Sequence, residues 1–248
     1  MTPRRHIAPV VGSLVIGTLA FAGCSAESPS ATITVFAAAS LSAAFDDIAA
    51  AFEGAHPDID VAPIVYDGSS TLATQISEGA EPDVFASADE ASMRAVAEFT
   101  EDPAIFAENT IVIAVPVGNP AEISALSDLP GATVVTCAAE VPCGSASSRL
   151  LDLARVDLVP ASLEQNVTAV LTKVAAGDAD AGLVYATDAA GDDAVEAIVP
   201  AHADDVVNRY PVAALMGSEH EAAAAEFVDF VLGDEGQRML AGYGFGAP

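Results

Sequence analysis

Basic residues are scarce in this chain, and their scarcity narrows the choice of partner. Lys and Arg together number 8 in 248 residues, against 36 Asp and Glu, so the formal net charge at pH 7 is −28. A nucleic-acid-binding protein needs Lys and Arg to neutralise phosphates, so this class is excluded. The same charge repels a dissolved anion at long range, so any anion site must work through short-range hydrogen-bond donors.

Histidine is also scarce, which argues against an enzyme. The 4 histidines are His6, His56, His202 and His220, and no two of them are spaced as metal ligands. No Ser-His-Asp arrangement is evident either. An exported hydrolase with Ser40 as nucleophile is the alternative from another functional class, but it lacks a histidine base. We therefore predict a protein that is not an enzyme.

Long hydrophobic runs are absent after the N-terminus. The apolar stretch at residues 10–22 follows Arg4 and Arg5 and is short for a membrane span. It ends in Phe21-Ala22-Gly23-Cys24, which resembles a bacterial lipoprotein signal. We expect a signal peptide at 1–23, lipidation of Cys24 and a tether at 24–31. An ordinary signal peptide cleaved nearby and an uncleaved anchor are the alternatives, and all three predict export.

Removal of the signal makes the remaining chain more acidic. It keeps all 36 acidic residues but only 6 of the 8 basic ones, which gives a formal net charge of −30.

Cysteine is limited to three residues, and Cys24 is assigned to the lipid. Cys137 and Cys143 lie close together in a chain predicted to enter an oxidising compartment, so we predict a disulfide between them. A zinc site is disfavoured because two thiolates do not complete a zinc shell.

What the chain does contain is a regular alternation of strand and helix patterns, which predicts an α/β protein with a mainly parallel sheet. Two long β runs, at 111–115 and 208–215, are candidate crossings between two lobes. We expect lobe 1 at 32–112 and 212–248, and lobe 2 at 113–211. Two crossing segments would leave a ligand cleft between the lobes.

A β-branched and aromatic run at 34–36 stops at three alanines and Ser40. Helical spacing follows, with Ala44, Phe45, Ile48 and Phe52 on one face. We predict that Ser40 is the N-cap of this helix, whose N-terminus suits an anion. A cap with no ligand role is the alternative. Three other candidates for an anion site follow predicted strands, namely Ser69, Cys143 and Tyr185. A fourth candidate, Val167, begins a predicted helix.

Several ordered motifs then point to a family. They are Val35-Phe36-Ala37-Ala38-Ala39-Ser40-Leu41, Gly68-Ser69-Ser70-Thr71-Leu72, Pro82-Asp83-Val84-Phe85-Ala86-Ser87-Ala88-Asp89, Val141-Pro142-Cys143-Gly144, Gly182-Leu183-Val184-Tyr185 and Tyr243-Gly244-Phe245. Over residues 32 to 246 the chain resembles the molybdate-binding proteins of bacterial molybdate ABC importers, which are type II periplasmic solute-binding proteins. The resemblance implies that fold, with two α/β lobes and the ligand between them.

The resemblance also implies a ligand set of neutral donors. They are the hydroxyls and backbone N–H groups of Ser40 and Ser69, the backbone N–H groups of Cys143 and Val167, and the Tyr185 hydroxyl. The expected ligand is molybdate or tungstate, with sulfate or another tetrahedral oxyanion as the alternative. No cofactor is implied, and no metal other than that of the oxyanion. Expected partners are an ABC permease and, through the lipid, the membrane, with the protein itself a monomer. Asp67 is expected to point away, because its charge would repel a dianion.

Overall fold

The structure is a computed structural model that describes Met1 and residues 31–248. The predicted signal peptide, Cys24 and most of the tether lie outside the described residues. Ala31, expected as the last tether residue, instead begins the first strand and pairs with Ile59. Within the described part of the chain, no helix has the length and apolar character needed to cross a membrane.

Strands and helices alternate through most of the chain. The strands are β1 (Ala31–Ile33), β2 (Val35–Ala38), β3 (Ile59–Val61), β4 (Val65–Asp67), β5 (Val84–Ala86), β6 (Ala104–Pro116), β7 (Val134–Cys137), β8 (Ser162–Glu164), β9 (Ala181–Tyr185), β10 (Val195–Ile198) and β11 (Val207–Ala214). The α-helices are α1 (Ser42–Ala55), α2 (Ser69–Ser77), α3 (Glu90–Ala95), α4 (Pro142–Ala154), α5 (Val167–Ala175), α6 (Ala186–Ala190), α7 (Glu221–Leu232) and α8 (Asp234–Gly242). Short 3-10 turns lie at Ala39–Leu41, Leu126–Asp128 and Ala203–Asp205.

The large sheet consists of two parts that share one long strand. One part has the order β4-β2-β5-β11-β6; the other has the order β6-β9-β7-β8, with β10 also paired to β6. Along β6 the pairing changes after Thr110, which pairs with β11, to Ile111, which pairs with β9. The lobe boundaries expected at 112/113 and 211/212 stay a prediction.

The expectation of a mainly parallel sheet was wrong, because the sheet is mixed. The outer strands pair in parallel, as β2 does with β4 and β5, and β7 with β8 and β9. The shared strand β6 is antiparallel to β9, β10 and β11. The α/β class is confirmed, and the antiparallel pairs arise where the chain crosses from one part of the sheet to the other and back.

The core is built as the hydrophobic pattern predicts. The predicted face of α1 is confirmed, since Ala44, Phe45, Ile48 and Phe52 are all buried. Strand β2 is buried along its whole length, as is β9, which is typical of strands covered by helices on both faces. Burial of these strands holds their carboxyl ends firmly, and the candidate site lies at those ends.

Candidate functional site

All five residues predicted to bind the ligand line one small cavity. They come from distant parts of the chain and meet where strands end and helices begin. The lining residues are Ala38, Ala39, Ser40, Asp67, Gly68, Ser69, Ala88, Pro142, Cys143, Asn166, Val167 and Tyr185. The cavity therefore has walls from both parts of the large sheet.

Three helices begin at this cavity. Ser69, Cys143 and Val167 each lie in the first two residues of α2, α4 and α5, where the backbone N–H groups have no acceptor within the helix. The caps of α2 and α4 make no side-chain hydrogen bond to the helix. Such N–H groups and the positive ends of three helix dipoles thus favour negative charge at one place.

Ser40 lies at the cavity but is not a helix cap, so that prediction was wrong. It is the middle residue of the 3-10 turn Ala39–Leu41, and α1 begins after that turn with Leu41 at its N-cap. The Ser40 Oγ lies 3.1 Å from the Tyr210 Oη on β11. The hydroxyl is therefore engaged by a long-range partner, and not by the backbone of its own helix.

Two other hydroxyl oxygens of the site already accept a hydrogen bond from another residue of the protein. The Ser69 Oγ accepts a hydrogen bond of 2.9 Å from the backbone N–H of Ala88. The Tyr185 Oη accepts one of 2.9 Å from the Nδ2 of Asn208. Ser69 and Tyr185 are each 1% exposed. Both hydroxyls are thus left with a hydrogen of their own to donate.

The tyrosines of the site are neutral at physiological pH, and burial widens that margin. Burial, with the neighbouring Tyr210 and the carboxylates of Asp89 and Asp188, raises the pKa of Tyr185 well above its ordinary value. Burial and Asp188 likewise raise the pKa of Tyr210. Tyr185 and Tyr210 therefore stay hydrogen-bond donors throughout the physiological pH range.

The start of α4 is held by a disulfide and a close backbone contact. The Sγ atoms of Cys137, at the end of β7, and Cys143 are bonded in the structure, as predicted. A Cβ atom added to Gly144 would lie 1.8 Å from the Ala138 carbonyl oxygen, so only glycine fits there. Both features fix the position of the Cys143 N–H group.

Asp67 is among the residues that line the cavity, and the expectation that its carboxylate points away from the ion stays a prediction. Its Oδ1 accepts hydrogen bonds from the Gly68 N–H at 2.7 Å and from the Asn166 Nδ2 at 2.9 Å. The Asn166 Oδ1 in turn accepts from the Ala169 N–H at 3.0 Å and caps α5. Asp67 is the last residue of β4, whereas Asn166 precedes α5, so this contact joins the two sides of the cavity.

Sequence reasoning missed Asn166, Asn208 and Tyr210 as residues of the site. The signal for Asn166 was present, since Asn immediately before an apolar helical pattern is a common N-cap. Asn208 and Tyr210 gave no local signal, because their partners lie on other elements.

Of the lining residues, all within the described chain, none is basic. Residues 31–248 also contain no cluster of His, Cys, Asp or Glu that could hold a metal ion.

Comparisons with known proteins agree with this architecture. The chain is 42% identical over 255 aligned positions to the molybdate-binding protein ModA of Mycobacterium tuberculosis strain H37Rv, covering 96% of each chain. The periplasmic molybdate-binding protein of Azotobacter vinelandii has a similar fold (TM-score 0.72, 19% identity, 87% of this chain and 99% of that one).

The sulfate-binding protein SubI of M. tuberculosis shares the fold as well (TM-score 0.73, 20% identity, 87% of this chain and 86% of that one). The family of bacterial extracellular solute-binding proteins matches residues 33–246, nearly the whole described chain. With its two sheet parts arranged around one cavity, this chain belongs to the family of bacterial extracellular solute-binding proteins.

Proposed function

We propose that this protein is an extracytoplasmic lipoprotein that captures molybdate or tungstate in the cavity and delivers it to an ABC importer. The observation that carries the proposal is the convergence of three helix N-termini and three hydroxyls on a cavity without basic side chains. The relative that is 42% identical is a molybdate-binding protein, which supports the choice of ion. Ser40, Ser69, Cys143, Val167 and Tyr185 are the proposed ligand residues.

Neutral donors suffice to hold a dianion. A hydrogen bond to a charged acceptor contributes about 1.5–3 kcal/mol. About five to seven such bonds, less the cost of desolvating the ion and closing the lobes, leave a binding free energy of about −8 kcal/mol or stronger, which is sub-micromolar. A site without a fixed cation also releases the ion more readily to a permease, because no salt bridge has to be broken.

The donors also select against protonated oxyanions. An oxyanion that carries a proton, such as hydrogen phosphate, needs an acceptor for its O–H group. Asp67 is the one carboxylate among the lining residues of the described chain, and because its Oδ1 already accepts two hydrogen bonds, selection against such an ion requires that the Asp67 Oδ2 stays out of its reach. Sulfate is fully deprotonated like molybdate, so only the size of the cavity distinguishes these two ions.

Anchoring and transport rest on the N-terminal sequence and on the family. The Phe21-Ala22-Gly23-Cys24 pattern supports lipidation of Cys24 after export, and binding proteins of this family act outside the cytoplasm. The lipid would keep a monomer near its permease. This role requires binding and release without chemical change, so we propose no catalytic step.

Titration calorimetry tests the choice of ion. The purified full-length chain in detergent is titrated with molybdate, tungstate, sulfate and phosphate. We expect sub-micromolar binding of molybdate and tungstate and weak or no binding of the others. Tight binding of sulfate, or no heat with molybdate, would contradict the proposal.

Single hydroxyl deletions test the ligand residues. Tyr185→Phe and Ser40→Ala each remove one donor to the ion and should weaken molybdate binding by about 1–3 kcal/mol. Ser70→Ala is the matched control, because Ser70 adjoins Ser69 but does not line the cavity. Equal affinities of Tyr185→Phe, Ser40→Ala and the control would remove these hydroxyls from the site.

A further inference from the structure

We propose that Asn208 is a positioning residue that turns the Tyr185 hydroxyl hydrogen into the cavity, so that the site offers a donor there and no acceptor. The inference rests on the proposed function and deepens it, since it concerns which oxyanions the site accepts. Asn208 does not line the cavity; it lies behind Tyr185 on β11 and is 2% exposed.

The orientation of the Asn208 amide is fixed by partners that cannot change roles. Its Nδ2 lies 2.9 Å from the Ala88 carbonyl oxygen, which can only accept. Its Oδ1 lies 3.5 Å from the Nη2 of Arg149, which can only donate. A flipped amide would set oxygen against the carbonyl and nitrogen against the guanidinium. The NH₂ group of Asn208 therefore faces Ala88 and Tyr185.

The direction of the Tyr185 hydrogen follows from that of the amide. A phenol hydroxyl has one hydrogen to donate, and it accepts through its remaining lone-pair direction. Because Asn208 donates to the Tyr185 Oη at 2.9 Å, the lone pair is used and the hydrogen points elsewhere. Tyr185 lines the cavity and also neighbours the Tyr210 hydroxyl, so its hydrogen can turn from Tyr210 to a bound anion.

The neighbouring strand repeats the arrangement. Asn109 on β6 is the register partner of Asn208 on β11, in the crossing between the two parts of the sheet. The Asn109 Oδ1 accepts from the Thr110 N–H at 3.0 Å, so its Nδ2 faces the hydroxyls of Thr187, at 2.8 Å, and Tyr210, at 3.5 Å. A donor toward Tyr210 favours donation by Tyr210 to Ser40. Tyr210 does not line the cavity, but a hydrogen that it donates to Ser40 leaves the Ser40 hydroxyl hydrogen for the cavity.

A double-mutant cycle separates positioning from simple structural support. Molybdate and phosphate binding are measured calorimetrically for the full-length chain, Asn208→Ala, Tyr185→Phe and the double variant. We expect Asn208→Ala to weaken molybdate binding about tenfold, the equivalent of about 1.4 kcal/mol. In the Tyr185→Phe background the same change should weaken it less than about twofold, because no hydroxyl is left to orient.

Selectivity gives a second readout that a structural role would not move. Without Asn208 the Tyr185 hydroxyl is free to rotate and accept, so the preference for molybdate over hydrogen phosphate should fall. Asn119→Ala is the matched control, because Asn119 makes amide hydrogen bonds of 2.7 and 3.1 Å within a loop away from the cavity. It should lower stability but leave both affinities unchanged.

Each outcome decides the proposal. If Asn208→Ala weakened molybdate binding equally in the wild-type and Tyr185→Phe backgrounds, the positioning role would be overturned. It would also be overturned if Asn208→Ala did not weaken molybdate binding in the wild-type background. If Asn208→Ala does not fold, Arg149→Met replaces it in the same cycle, because Arg149 donates to the Asn208 Oδ1 from an exposed helix position. We then expect a smaller loss of molybdate affinity, and only where Tyr185 is present. Failure of the unmodified chain to bind any oxyanion would instead overturn the proposed function, and the inference with it.

Discussion

Cys143 contributes to the proposed site through its backbone, so its side chain is free to do something else. Its N–H group lies at the start of α4, while its Sγ bonds to Cys137. The bond closes a loop with a sequence separation of 6 residues, which braces the turn before the helix. Residue identity at this position should therefore affect stability more than affinity.

Replacing Cys137 and Cys143 together by Ala should lower the free energy of unfolding by about 2 kcal/mol, as expected for a disulfide that closes a short loop. Molybdate affinity should change little, because alanine at position 143 keeps the backbone N–H group and Gly144 still packs against Ala138. Chemical denaturation and calorimetry measure the two effects, with the oxidised wild-type chain as control. A folded double variant that no longer binds molybdate would contradict the backbone-donor role of Cys143.

Helix α5 reaches the site through its N-cap residue and the first residue of the helix. Asn166 caps the helix with its Oδ1 and reaches Asp67 across the cavity with its Nδ2. The cap holds the first turn, where Val167 offers its N–H group. The same side chain thus affects the stability of the helix and the contact between the two sides of the cavity.

Two substitutions at Asn166 separate these effects. Asn166→Ala should lower the free energy of unfolding by about 1 kcal/mol through loss of the cap, and Asn166→Ser should restore most of it. Both lose the hydrogen bond to Asp67, so both should weaken molybdate binding relative to wild type. Urea denaturation with calorimetry checks this. If Asn166→Ser bound as tightly as wild type, the contact with Asp67 would have no part in binding.

At the scale of elements, local patterns predicted type and burial but not long-range partners. The apolar face of α1 follows from helical spacing alone, and so it was predicted correctly. The cap at Ser40 was predicted wrongly because its partner, Tyr210, lies 170 residues away in sequence. The antiparallel pairing of β6 and β11 likewise depends on how the chain crosses between the two parts of the sheet, which no local pattern records.

For the whole molecule, the sign of its charge sets how an anion reaches the site. A formal net charge of −28, or −30 once the predicted signal peptide is removed, opposes the approach of a dianion until the short-range donors act. Salt screens this repulsion over about 10 Å at roughly 0.1 M ionic strength. If the ion binds as proposed, its enclosure between the cavity walls should then matter more than attraction from the surface.

Gly68 lies where one side of the cavity approaches the other, so we expect closure to depend on it. A Cβ atom added to Gly68 would lie 2.3 Å from the Gln165 backbone oxygen, and its φ of −58° is allowed for alanine. Gly68→Ala should therefore leave its own side of the cavity unstrained but hold the cavity walls apart. We expect molybdate affinity to fall at least about tenfold, while the unfolding temperature without ligand stays the same or rises slightly.

Thermal unfolding with and without molybdate measures both parts of this prediction, because bound ligand raises the unfolding temperature only as far as its affinity allows. Gly54→Ala is the matched control, since Gly54 lies in α1 with no atom within 4 Å of an added Cβ. It should stabilise the fold and keep the full shift with molybdate. Undiminished binding by Gly68→Ala would mean that the ion is held without this close approach of the two walls, and the enclosed cavity would then not be the binding state.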